Sequence, residues 1–207
     1  MVDRFPMPGV TGIADVAGGT GNVAEVNAQG QLAVDTEGRK RTYSVAVSAY
    51  APYATATDIL TITGAPGVVV KVLRVEVSGR ATAAAQLDAQ VVLRSAANTG
   101  GTSAALTAAS HDQSDAAPVA AVVTWTTAPT PGATAGIIRA AQVNISAAGS
   151  GGAAVPQDWD FTTRNGKAPT LRGSTQQLAI NLNGAAVPAG TALDLSIEWT
   201  EENLTGE

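Results

Sequence analysis

Alternation is the dominant pattern along this chain. Residues 43–50 read Tyr43-Ser44-Val45-Ala46-Val47-Ser48-Ala49-Tyr50, with apolar side chains at the odd positions and mostly small or polar ones between. Residues 86–94 place Leu87, Ala89, Val91 and Leu93 on one face, and residues 177–183 do the same with Leu178, Ile180 and Leu182. Residues 193–199 set Leu193, Leu195, Ile197 and Trp199 against Asp194, Ser196 and Glu198. A period of two is what a strand with one buried face requires, because successive side chains leave the backbone on opposite sides. Five further stretches, 58–63, 68–78, 121–126, 137–145 and 158–161, bring the expected strands of the body to nine.

Nothing in the sequence competes with that reading. Alanine favours helix in isolation, but here it is interleaved with Thr, Val and Gly, and no stretch sustains an i, i+3, i+4 apolar stripe. Asn165-Gly166 and Asn183-Gly184 are dipeptides that tight turns prefer. The fold expected is all-β: an antiparallel two-sheet sandwich, jelly-roll-like, with an extended N-terminal arm. An immunoglobulin-type sandwich needs only about 100 residues, and no linker divides the body into two of them. Residues 96–118 carry no strand signal and read as one long polar loop. Residues 147–156 read as a plain surface connection.

The first forty residues differ from the rest. Pro6, Pro8 and glycines 9, 12, 18, 19, 21, 30 and 38 interrupt any long element. Two short stretches, 22–26 with Val23 and Val26 and 31–35 with Leu32 and Val34, flank a loop that could close a hairpin. A lone two-stranded hairpin is marginal in water. Residues 1–41 are therefore read as an arm ordered by lying on another surface, the alternative being a loose tail. Its candidate partner-binding residues are Val23, Val26, Leu32, Val34 and the basic run Arg39, Lys40 and Arg41. Residues 42–207 form the sandwich and end in a short acidic tail, the closing Glu198, Glu201, Glu202 and Glu207 being expected to face solvent.

Composition limits the chemistry available. Of 207 residues only 14% are charged and 4% aromatic, against roughly a quarter charged in an average soluble domain. There is no cysteine and one histidine, His111, which leaves little material for a zinc site or a His-based triad. A net charge of −5 disfavours nucleic acid, whose phosphates bind cations. No apolar run approaches the ~20 residues of a membrane-spanning helix, and Met1-Val2-Asp3-Arg4-Phe5-Pro6 lacks the features of a signal peptide. The expectation is a non-enzymatic protein without cofactor or metal, made and used in a cytoplasm or in a particle assembled there.

Two clusters invite a catalytic reading. Ser110-His111-Asp112 contains the residue types of a hydrolase triad, but triad members converge from separate elements while sequence neighbours point apart. A polar loop with Asp and Ser bonded to local backbone is the simpler expectation. Asp158 and Asp160 flank Trp159 and are expected to face solvent while Trp159 and Phe161 pack inward. An ion-linked contact through the two aspartates is the alternative. Gly18-Gly19-Thr20-Gly21 has no helix after it to present amides to a phosphate.

Several phrases occur together in order: Ala56-Thr57-Asp58-Ile59-Leu60-Thr61-Ile62-Thr63-Gly64, Arg94-Ser95-Ala96-Ala97-Asn98-Thr99-Gly100-Gly101-Thr102-Ser103, His111-Asp112, Leu171-Arg172-Gly173-Ser174 and Ile197-Glu198-Trp199-Thr200-Glu201-Glu202. In this the chain resembles a family of tailed-bacteriophage virion structural proteins, over roughly residues 43 to 202. The resemblance implies a capsid decoration or cement protein on the outer surface of the particle, or a collar or tail-fibre-type appendage. Its partners would be the major capsid protein or other virion proteins, with a homo-oligomer, a trimer by preference, and neither nucleic acid nor membrane. A receptor- or carbohydrate-binding module is the rival. Tyr50 and Tyr53, separated by Ala51-Pro52, are the aromatics expected to be exposed to such a ligand.

Overall fold

The computed structural model describes residues 40–150, 155–163 and 166–203. Val23, Val26, Leu32, Val34 and Arg39 lie outside them. The described residues hold twelve strands and no helix: β1 (Arg41–Tyr50), β2 (Asp58–Thr63), β3 (Val68–Ala81), β4 (Ala85–Arg94), β5 (Thr102–Ala105), β6 (Ala109–Ser110), β7 (Ala121–Thr127), β8 (Thr134–Ala147), β9 (Gln157–Asp160), β10 (Thr170–Arg172), β11 (Gln177–Asn181) and β12 (Ala192–Asn203).

All nine expected strands are present, and β5, β6 and β10 are additional. The loop expected over 96–118 is thus corrected: it contains β5 and β6. Their six residues are Thr, Ser and Ala, all four of β5 being exposed, so neither carries the apolar alternation that marks a half-buried strand.

The strands form one curled sheet in the order β5-β7-β2-β11-β4-β8-β3-β12-β1-β6, with β9 and β10 on β3 away from β12. The sheet is mixed, not antiparallel throughout as expected. The single parallel contact is short: Arg80 pairs with Ser146 and Ala81 with Ala147. It forms where the end of β8 runs beside the end of β3, and it is pinned by the Ala148 amide donating to the Ala81 carbonyl at 2.8 Å.

Alternation sets the inner face of each long strand. In β12, Leu193, Leu195, Ile197 and Trp199 are buried, while Asp194, Ser196 and Glu198 are half-buried on the other face. Tyr43 and Val45 of β1 pack beside them, the Tyr43 and Trp199 rings lying 5.8 Å apart. Residues from β2, β4, β7, β8 and β11 join the same continuous cluster. Truncating a core tryptophan such as Trp199 to alanine costs about 3–5 kcal/mol.

The sheet has two seams where its halves meet. The terminal strands β5 and β6 are separated only by Leu106, Thr107 and Ala108, so the chain itself straps one end of the sheet to the other. The Leu106 amide donates to Val122 O in one half, and the His111 amide to Thr42 O in the other, both at 2.9 Å. The second seam is the two-residue contact of β8 with β3. There the strands diverge toward the N-terminal part of β8.

Candidate functional site

The triad-like cluster is a turn. The Asp112 carboxylate accepts from the Ser114 amide at 2.9 Å and the Ser114 hydroxyl at 2.7 Å, and Ser110 Oγ donates to Asp112 O at 2.6 Å. These bonds hold the Asp112 carboxyl below its usual range, the Ser114 hydroxyl first. No relay runs from a hydroxyl through the imidazole to a carboxylate. Asp158 and Asp160 are exposed while Trp159 and Phe161 are buried, as the alternation predicts. Asp158 forms a bidentate pair with Arg74, at 2.8 and 2.9 Å. Asp160 instead accepts from the Thr162 hydroxyl and amide, which lower its pKa, the hydroxyl most. The two aspartates thus serve separate local structures. Among the described residues no group of three or more His, Cys, Asp or Glu is placed to hold a metal.

The expected exposure of Tyr50 and Tyr53 is corrected. Tyr50 is buried at 8% exposure, and its hydroxyl donates to the Trp125 carbonyl of β7 at 2.5 Å. Burial pushes its pKa well above the usual tyrosine value. Tyr53 is half-buried, its hydroxyl accepting from the Thr57 amide and donating to Asp58 O at 3.1 Å. Both hydroxyls have intramolecular partners that a two-residue spacing cannot reveal. All three tryptophans are buried as well.

Two buried carboxylates carry most of the internal polar structure: Asp58, which the sequence did not single out, and Glu201, expected in a solvated tail and corrected here to a buried position in β12. Asp58, fully buried, opens β2. Its Oδ1 accepts from Arg94 Nη2 at 2.7 Å and Asn181 Nδ2 at 2.6 Å, and its Oδ2 from Arg94 Nε at 3.1 Å and Asn98 Nδ2 at 2.8 Å. Arg94 also donates to the Gly132 carbonyl and the Thr134 hydroxyl. Gly132 fits because it has no side chain: a Cβ there would lie 1.9 Å from the Ala96 carbonyl oxygen. The second carboxylate, Glu201 of β12, accepts from the Val119 and Ala120 amides and from Trp199 Nε1 at 2.9–3.1 Å. Its charge, after burial itself, helps raise the pKa of Tyr43, whose hydroxyl donates to Ala116 O at 2.7 Å.

Together these groups tie down the strap that carries β5 and β6. Asn98 at its start is bonded to Asp58 and, through its amide, to Gln177 Oε1 at 2.8 Å. Val119 and Ala120 at its end are held by Glu201. Both carboxylates are occupied by donors from the fold, which is the arrangement of a structural lock rather than a reactive group.

The second seam is different. Where β8 diverges from β9 and β10 there is a cleft of about 360 Å³ lined by Leu93, Ile138, Arg139, Phe161, Lys167, Ala168, Pro169 and Thr170. The Arg139 guanidinium lies over the Phe161 ring, 5.1 Å from its centre. Of the basic run, Lys40 is half-buried and Arg41 opens β1 opposite Glu201, so Arg41 belongs to the sheet. The chain matches no family model, no curated protein and no solved structure. No helix among the described residues is long and apolar enough to cross a membrane.

Proposed function

We propose that this chain is a non-enzymatic structural protein of a tailed-phage virion, a decoration or cement protein on the outer surface of the head. In this reading residues 1–41 anchor it to the major capsid protein, and the β body bridges neighbouring capsid subunits and resists internal pressure. The curled sheet then works as a two-layer, jelly-roll-like sandwich, its β7-β2-β11-β4 half facing its β3-β12-β1 half across the shared core.

The observation that carries the reading is how the body uses its polar groups. Asp58 and Glu201 are saturated by internal donors, and the charges on the outer face of β3 and β9 pair with one another through Arg74. Such a body is suited to rigidity and close packing, not to turnover. The resemblance to virion proteins gives the setting, and an acidic chain suits the outside of a head better than the lining around DNA. Repeated weak contacts across a lattice would add up by avidity.

Co-sedimentation with particles lacking the protein tests this. The full chain is expected to bind heads saturably, and a chain beginning at Lys40 to fold and fail to bind. Equal binding by both would remove the anchoring role of the arm. Binding to tails alone would move the protein to a collar or fibre.

A further inference from the structure

The second seam leaves an edge of the sheet open. β8 pairs with β4 along its length but meets β3 only through Ser146 and Ala147. From Thr134 to Ile145 its other edge has no strand partner among the described residues. Such an edge turns unpaired N–H and C=O groups outward and templates the addition of a further strand, which proteins usually prevent with lysine or proline. This stretch has neither. Apolar surface is exposed beside it: Ile137 is 56% exposed, and Val155, two residues before β9, is 77% exposed.

A bulge shapes the cleft along this edge. Val91 of β4 pairs with Arg139 and Val92 with Ile137, so Ile138 is an extra residue in β8. Strict alternation would send Ile138 and Arg139 to opposite faces, whereas a bulge re-aims a side chain, and both line the cleft. Its apolar lining includes Leu93, Ile138 and Phe161, its cations are Arg139 and Lys167, and no carboxylate lines it. Lys71, Arg74 and Arg94 are paired with carboxylates, but among the described residues Arg139 and Lys167 are in no ion pair. In a chain of net charge −5 this is a locally basic site. The planar fork of an arginine suits a carboxylate, and stacking on the Phe161 ring holds it ready for one.

We propose that the β8 edge docks an extended segment of another protein, added as a strand along residues 134–145. One carboxylate of that segment sits against Arg139, and apolar side chains two positions to either side share its face. The open main chain calls for a peptide, since a sugar or a free acid has no alternating row of N–H and C=O groups to pair with it. The unpaired cations call for an aspartate or glutamate, and the apolar lining with exposed Ile137 calls for apolar neighbours to it. Residues two apart along a strand point the same way, so one short segment meets both needs. β8 of a second copy does not, because Arg139 is its one charge and it has no carboxylate to give. The inference goes beyond the virion reading and stands without it.

Titration of the full chain followed through its amide NMR shifts tests it. The probe is a blocked pentapeptide with valine at both ends, threonine next to each and a central glutamate. Shifts are expected to saturate and to fall on residues 134–145 and 167–170. A central glutamine in the peptide, or Arg139→Glu in the chain, should weaken binding at least about threefold, the scale of an exposed charge pair. A central lysine should restore binding to the Arg139→Glu chain. N-methylation of the two threonines blocks one edge of the peptide, and N-methylation of the other three residues blocks the opposite edge, so only one of these peptides should still bind. No shifts along β8, equal binding by the glutamine peptide, or the same effect from both N-methylated peptides would overturn the proposal. The same shifts from butyrate alone would overturn it in favour of a site for small acids. Shifts along β8 that follow protein concentration without peptide would give the edge to a second copy and overturn it too. None of these outcomes depends on binding to particles.

Discussion

The two seams of the sheet solve the same problem in opposite ways. At the strap, β5 and β6 are joined through three residues, and the segment is locked at one end by Asp58 and at the other by Glu201. Tyr43 reaches the carbonyl of Ala116 between the locks, and Tyr50 that of Trp125 in β7 beyond them. At the other seam the halves share two parallel residue pairs, an exposed cation over a ring, and a cleft. The first seam concentrates buried hydrogen bonds and the ion pair between Asp58 and Arg94. At the second, the β8 edge from Thr134 to Ile145 has no strand partner among the described residues and Arg139 is exposed.

The sharpest way to break this contrast is at Asp58. Asp58→Ala leaves the Arg94 guanidinium buried and unpaired, and removing one partner of a buried ion pair costs about 3–5 kcal/mol. Urea denaturation should show that loss, with the strap amides near Asn98 losing hydrogen-exchange protection first. A cost under about 1 kcal/mol, within the range of exposed pairs, would mean the lock is not what holds the strap.

Glu201→Ala comes next. It strands the Val119 and Ala120 amides and the Trp199 indole N–H, and an unmet buried donor costs about 1–3 kcal/mol. Glu201→Gln, which keeps acceptor oxygen, should recover part of it. Loss of the same size in both variants would point to the charge rather than the hydrogen bonds.

The locks show what the sequence could and could not reveal. Periodicity was enough for the nine expected strands and for the inward set of Trp159, Phe161 and Trp199, because burial of one strand face is a local property. The Asn183-Gly184 turn is also present, both residues at positive φ, although the chain then crosses from β11 to β12 in the other half instead of forming a hairpin. The Asp58 lock was hidden because its members come from three separate stretches: Asp58, Arg94 with Asn98, and Asn181. Alternation assigns the outer face of β11 to solvent, yet Gln177, Ala179 and Asn181 are buried there. The available signal was polar residues recurring beside strongly apolar strands, which indicates a covered polar layer only once the neighbouring segments are placed. Tyr50 failed for the same reason: its partner is 75 positions away.

Smaller effects test the tyrosine hydroxyls beside the strap. Tyr50→Phe removes one hydrogen bond across the halves, worth about 1 kcal/mol. Alkaline pH probes the same bond. Burial raises the folded-state pKa of Tyr50, and burial followed by Glu201 raises that of Tyr43. The unfolded tyrosines titrate near 10. Their contribution is therefore complete below about pH 10 and is lost as pH rises from there through the folded values. The thermal midpoint should fall over that window, and less steeply in Tyr50→Phe. A midpoint independent of pH there would show that neither hydroxyl is held by the fold.

The smallest effect belongs to the open seam. Arg139 is exposed and its contact with Phe161 is a cation over a ring, worth about 0.5–1 kcal/mol at such sites. Arg139→Ala should therefore move the urea midpoint very little. Arg139→Lys, which keeps a cation on a flexible stem, should move it less still. A loss above about 2 kcal/mol for Arg139→Ala would mean that this seam is locked as firmly as the strap, and the division between a stabilising seam and an interacting one would collapse. A small loss leaves Arg139 where the contrast puts it: a cation that the folded body does not need, held over an apolar cleft at the edge of an acidic protein.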